Sequence, residues 1–210
     1  MESSSAGTSN QAQFLIPDDR LYLALRAWVI WLQGLFKNRP RGDLRWTSNA
    51  DESEIVISAT EPTAQDTMNK RPFIVVGRGP AVLAPLGKDG TLSRSVAADT
   101  AQYVSFLNTT IVFSCVAREG IEAQKIGYTI MRMIPVFRAS IARLGRMHAI
   151  LQNISIGPET RHEQIVPGSS FPEWRMVQVS VPIQIQDVIS SDKDFYNILR
   201  EVNIHMKQVG

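Results

Sequence analysis

The chain has 210 residues, 44% apolar and 20% charged, long enough to bury about 70% of its unfolded surface in one core without staples. A single cysteine, Cys115, excludes an intramolecular disulfide and a cysteine-based zinc site, and with them a small secreted disulfide scaffold; a reducing compartment fits. Lys and Arg number 22 against 20 Asp and Glu, a formal charge of +2, too balanced for a dedicated nucleic-acid coat, so any basic function must be local.

Residues 1–13 are polar, rich in Ser, Ala and Gln, and lack the basic and apolar regions of a signal peptide. They read as a disordered tail ahead of one domain, 14–210. Pro17, Asp18 and Asp19 then mark a helix start, and Leu21, Leu25, Trp28, Leu32 and Leu35 recur at helical spacing. Tyr22, Leu23, Val29, Ile30 and Trp31 widen the apolar surface beyond one stripe. Such a helix is either sunk deep in its own core or also meets a neighbouring subunit. The window Leu21 to Phe36 contains Arg26 and Gln33 and falls short of the roughly 20 residues that a bilayer span requires.

After a basic connector with Lys37, Arg39, Arg41 and Arg45, the apolar period changes from helical to alternating. Glu54 to Thr60 reads as a strand with Ile55, Ile57 and Ala59 on one face, and Arg71 to Val76 as a second that can join it in a hairpin. Gly77 to Ala101, punctuated by Gly79, Pro80, Pro85, Gly87 and Gly90, reads as a long protruding loop. Ser105 to Ala117 alternates cleanly, with Leu107, Thr109, Ile111, Phe113 and Cys115 on the buried face. A helix over Glu119 to Leu144 follows, with Pro135 expected to kink or divide it. His148 to Ile156 reads as a strand and Gly157 to Phe171 as a second long loop. In Arg175 to Asp187, Val177, Val179, Val181, Ile183 and Ile185 alternate with polar residues, and Pro182 belongs at an edge or a bulge. This strand exceeds the usual five or six residues, so part of it should project. Ser191 can cap a last helix bearing Phe195, Ile198, Leu199, Val202 and Met206. The sum is an α+β domain: a mostly antiparallel sheet packed by helices on one face, with two long protruding loops.

Searches for chemistry fail on the residues. Gly77, Arg78 and Gly79 follow a strand, but Val82 stands where a dinucleotide fingerprint needs its third glycine. Gly87 and Lys88 are followed by Asp89, not the Ser or Thr of a phosphate loop, and read as a hairpin tip. His148, His162 and His205 lack ligand spacing. Cys115 falls on the buried face of its strand, where packing suits it better than nucleophilic attack. No catalytic, cofactor or metal residue is assigned, and a non-enzyme is expected. One pattern stands out: Arg118, Lys125, Arg132 and Arg143 are spaced to share one helix face. A solvated face is the plain reading; an acidic partner subunit or passing phosphate is the functional one.

The order of elements from Ser105 to Ile189 resembles the tail terminator proteins of long-tailed bacteriophages. The resembling pieces are the strand Thr109 to Val116, the start Glu119, Gly120, Ile121, Glu122, Ala123 of the long helix, and the strand Trp174 to Val181, with the first helix and Arg71 to Val76 consistent. The resemblance implies a virion protein of tail and neck, assembled in the host cytoplasm. Six copies would form a ring that seats on the tail tube protein, ends tube polymerisation and offers a docking surface to a neck or stopper protein, with a tail sheath protein as a further neighbour. Genomic DNA would pass through the lumen without sequence-specific binding, and no membrane is involved. Leu21, Leu25, Trp28 and Leu32 would serve core or subunit packing. Arg118, Lys125, Arg132 and Arg143 would supply a charged contact, while Arg78, Lys88 and Arg94 would reach a neighbour or the lumen. Two alternatives are another neck or baseplate component, such as a head-completion protein, and a peripheral membrane protein anchored by residues 21–36.

Overall fold

The computed structural model describes residues 20–59, 71–85, 91–95, 100–162 and 174–191. Its elements in chain order are α1 (Arg20–Lys37), β1 (Val56–Ser58), β2 (Phe73–Arg78), β3 (Val82–Pro85), β4 (Thr91–Ser95), β5 (Thr100–Ala117), α2 (Gly120–Leu144), β6 (Ala149–Ile150), β7 (Ser155–Ile156), β8 (Thr160–His162) and β9 (Trp174–Ser191). The expected tail, the helix signal at Pro17 to Asp19 and the last helix with its Ser191 cap lie outside the described residues, apart from Ser191 itself, which ends β9.

β5 and β9, of 18 residues each, pair antiparallel from Ala101 opposite Ser191 to Ala117 opposite Arg175. At the rise of an extended chain this ribbon is about 60 Å long. Its alternation matches the sequence pattern: Ile111, Phe113, Cys115, Val177, Val179, Val181, Ile183 and Ile185 are buried on one face, while Asn108 and Gln184 meet on the other through an amide hydrogen bond of 3.0 Å. β2, β3 and β4 attach to the β5 edge of this ribbon and β6, β7 and β8 to the β9 edge, while β1 joins the sheet through β2.

Several expectations need correction here. β1 and β2 pair in parallel, Val56 opposite Phe73, so they are not a hairpin; parallel neighbours need a crossover connection. Ile55 and Ile57 are buried as expected, but Ala59 is exposed. The first expected loop is largely strand. β2, β3 and β4 run in succession along one edge of β5, opposite Val116 to Ile111, Asn108 to Ser105 and Tyr103 to Thr100. Gly87 to Gly90, read as a hairpin tip, lie outside the described residues; β3 and β4 both run antiparallel to β5. The segment from His148 to Ile156 is two short bridges to β9, not one strand, and the second expected loop contains β8, paired to β9 at Trp174 to Met176.

Pro182 sits within the ribbon, opposite Thr110. Leu151 donates its N–H to the Pro182 carbonyl at 2.8 Å, so Pro182 turns its backbone toward the gap between β6 and β7. No ladder donor is required of it there. Pro135 likewise does not divide its helix: α2 runs unbroken for 25 residues, with Pro135 on its exposed side.

α1 and α2 pack side by side on the inner face of the sheet. They run antiparallel, because Gly145 approaches Ala24 and Ala27, Trp31 stacks on Phe137 at 6.4 Å, and Arg39 reaches Thr129. Two glycines permit this closeness. A Cβ at Gly127 would meet Ile156, Val177 and Val179 at 3.1–3.4 Å, and one at Gly145 would lie 3.1 Å from Ala27 Cβ and 2.7 Å from Met147 Cε. The start of α2 has no side-chain cap of its own. The Glu159 carboxylate instead lies against Gly120, held by Gln124 at 3.1 Å and Arg175 at 3.7 Å, where negative charge complements the helix dipole.

Trp28 is the centre of the core, fully buried and edge-on to Phe113 at 5.3 Å and to Trp31 at 5.6 Å. Its indole N–H has no hydrogen-bond partner among the described residues. Replacing Trp28 with Ala should cost about 3–5 kcal/mol. Trp28→Phe should cost only about 1–2 kcal/mol, since the smaller cavity is offset by loss of an unsatisfied donor. Urea unfolding of both variants measures the difference; equal losses would contradict this account of the core.

Candidate interaction surface

The outward sides of the two helices form one layer of mixed character. On α1, Tyr22, Arg26, Ile30, Gln33 and Lys37 follow one another at helical spacing opposite the buried Ala24, Trp28, Leu32 and Phe36. On α2, Ile121, Lys125, Tyr128, Arg132, Val136 and Arg143 do the same opposite Ala123, Ile126, Ile130, Ile134 and Ile141. Apolar and cationic side chains therefore alternate almost turn by turn. Tyr22 is 59% exposed, Val136 70% and Ile121 80%.

The connector between α1 and β1 braces one end of this layer. The Glu54 carboxylate accepts hydrogen bonds from the backbone N–H of Gly42 at 2.7 Å and of Arg45 at 3.0 Å. These two bonds, that of Arg45 first, hold its carboxyl below the usual range. Gly42 and Leu44 adopt positive φ, of 87° and 61°. Leu44 tolerates that conformation because its side chain is buried in the main core. Asp43 bridges to Lys125 at 2.8 Å and to Arg39 at 3.4 Å, and its carboxyl is lowered chiefly by the Lys125 hydrogen bond. A pocket of about 200 Å³ lies beside this connector, lined by Arg41, Arg45, Thr47 and Glu52. All four lining residues are polar, which leaves no apolar wall to desolvate an organic ligand.

The residues singled out in the sequence fall into different places. Trp28 and Leu32 are wholly buried, and Leu21 and Leu25 pack against the same core from its margin. All four therefore pack within the subunit. Lys125, Arg132 and Arg143 do share the exposed side of α2, but Lys125 is committed to Asp43. Arg118 precedes the helix and stacks over the Trp174 ring at 5.8 Å. Arg78 is exposed at the end of β2, Arg94 stands in β4 opposite Ala101, and Lys88 lies outside the described residues. Reading α2 alone missed the matching stripe on α1 and the exposed Tyr128 between the cations. The signal was present in Tyr22 and Ile30, assigned only to apolar width, and in Arg26, weighed only against a bilayer span.

Cys115 is buried, and burial raises its thiol far above the ordinary value, so it is held as the thiol. Among the described residues no group of His, Cys, Asp and Glu could hold a metal ion, and no helix is long and apolar enough to cross a membrane.

No family model matches the chain, and no curated protein matches it detectably.

The anchored carboxylates set a pH dependence. Glu54 and Asp43 have lowered folded values, so their stabilisation is complete above the ordinary carboxylate value and is lost as pH falls through the lowered one. Glu122 works in the opposite sense. Burial, and then Glu119, raise its carboxyl, so it costs stability near neutrality and this cost eases on acidification. Glu54→Gln should lower stability at neutral pH by about 1 kcal/mol, solvent screening included, and flatten the acid limb. Denaturant midpoints from pH 3 to 7, compared with those of wild type, check the sign.

Proposed function

We propose that this chain is a structural virion protein of the bacteriophage tail terminator type, acting at the tail and neck by fitting its faces to copies of itself and to neighbours, with no chemical step. The observation that carries the reading is the β5–β9 ribbon. The two strands stay paired without interruption from Ala117 opposite Arg175 to Ala101 opposite Ser191, about three times the usual length of five or six residues. Strands of this length suit a subunit that continues a sheet, or a contact, across a boundary. The resemblance in element order from Ser105 to Ile189 points the same way.

A ring, taken as six copies, would cap the tail tube protein, end its polymerisation and dock a stopper or neck protein. Ending polymerisation requires only that one side of the ring match the tube while the other does not, a matter of heterologous surfaces. The two faces of this subunit differ in that way. One is a helix layer set with cations and apolar groups. The other is the opposite side of the sheet, where Val116, Phe73 and Trp174 form a small buried cluster at one end and Ser114, Gln178 and Ser180 follow. The buried Trp28 and Leu32 weigh against a lipid anchor over residues 21–36, since insertion would have to strip them from the core.

Electron microscopy of particles made without this protein tests the reading. Overlong tails are expected. Tails of normal length lacking heads would indicate another neck component, and normal particles would overturn the virion role. Arg132→Glu combined with Arg143→Glu should reduce head–tail joining at least roughly tenfold while leaving the unfolding midpoint near wild type, because both side chains are exposed.

A further inference from the structure

We infer that the outward face of the α1–α2 layer docks a different polypeptide of the same particle, one whose contact surface sets carboxylates around apolar side chains. This rests on the proposed virion role only for where the partner is found.

Charge complementarity is the first argument. α1 carries Arg20, Arg26 and Lys37 and no carboxylate, and α2 carries Lys125, Arg132, Arg138 and Arg143 against Glu122 alone. The chain has no acidic residue between Glu122 and Glu159. A solubilising surface mixes both signs evenly; this one is weighted to cations, with Glu122 on α2 and Asp43 against Lys125 as its described carboxylates. Its apolar members are large. Most of the big apolar side chains exposed among the described residues lie on these helices, with Tyr22, Ile30, Ile121, Tyr128, Val136 and Leu144 prominent. Arginine outnumbers lysine here, and Arg with Tyr and Met is the composition enriched where proteins meet.

The same features exclude other occupants. Two copies cannot meet through this face symmetrically, because cation would oppose cation across the two-fold. A lipid interface favours exposed tryptophan, but Trp28 is wholly buried and Trp31 turns inward onto Trp28 and Phe137. Nucleic-acid phosphate has no use for Ile121, Val136 and Leu144 between the cations. A protein face with carboxylates surrounding apolar anchors satisfies both halves of the pattern.

The test places a benzophenone amino acid at position 128 of the full chain during particle assembly and identifies crosslinked peptides by mass. Capture of one Asp- or Glu-bearing segment of a different polypeptide is expected. Yield should fall roughly tenfold or more in Arg132→Glu with Arg143→Glu, and return when the captured carboxylates are changed to Arg. Val136→Ser should weaken capture without altering charge. Capture of α2 of a second copy, no capture, or capture indifferent to charge reversal would each overturn the inference, as would flotation of the purified protein with phosphatidylcholine–phosphatidylglycerol vesicles. Tail length is scored separately: normal particles without the protein defeat the terminator reading, whereas absence of an acidic partner defeats only this one.

Discussion

The ladder between β5 and β9 is the constraint on which the remaining structure depends. Because the pair is long and in register, each short element has a defined edge to join: β2, β3 and β4 in succession on β5, and β6, β7 and β8 on β9. Two-residue strands such as β6 and β7 would not persist alone. They exist because β9 presents an ordered row of backbone groups to Leu151, His148 and Gly157, which donate to Pro182, Gln184 and Gln178. The register also decides sidedness, since a slip of one residue would turn Val177 to Ile185 out to solvent and bring the glutamines to the core.

The helix layer is a consequence of that sheet. α2 can approach closely because Gly127 leaves room for Val177 and Val179, and α1 can lie beside it because Gly145 faces Ala24 and Ala27. Close approach turns the apolar stripes of both helices fully inward. What remains outside is set by the residues between those stripes, and here they are cations and bulky apolar groups. The bracing of Glu54 on two backbone donors and of Asp43 on Lys125 then fixes the connector that joins the layer to β1.

Much of this was legible beforehand. Alternation from Leu107 to Cys115 and from Val177 to Ile185 identified both long strands and their buried faces, and helical spacing identified α1 and α2, the latter to within one residue. Errors fell where pairing partners, not local pattern, decide structure. β3 and β4 carry Pro85 and many small polar residues, so they resemble a loop; they become strands because β5 extends far enough to accept them. β1 and β2 look like a hairpin in isolation, but the edge available to β1 is parallel. Pro135 was expected to kink or divide α2, and the helix is not divided, with Pro135 on its exposed side. The candidate surface was half visible: the α2 cations could be counted, but their neighbours on α1 could be found only once the two helices lay together.

Sequence alone settled the class of the fold and the buried faces of the two long strands, because those follow from side-chain period and residue chemistry. Tertiary structure alone decided which edges pair, that α1 and α2 run antiparallel in one layer, and that Arg26, Ile30, Tyr128 and Arg132 share a surface. Contacts between residues a hundred positions apart leave no mark in local periodicity; they arise from register and close packing, which only the assembled chain supplies.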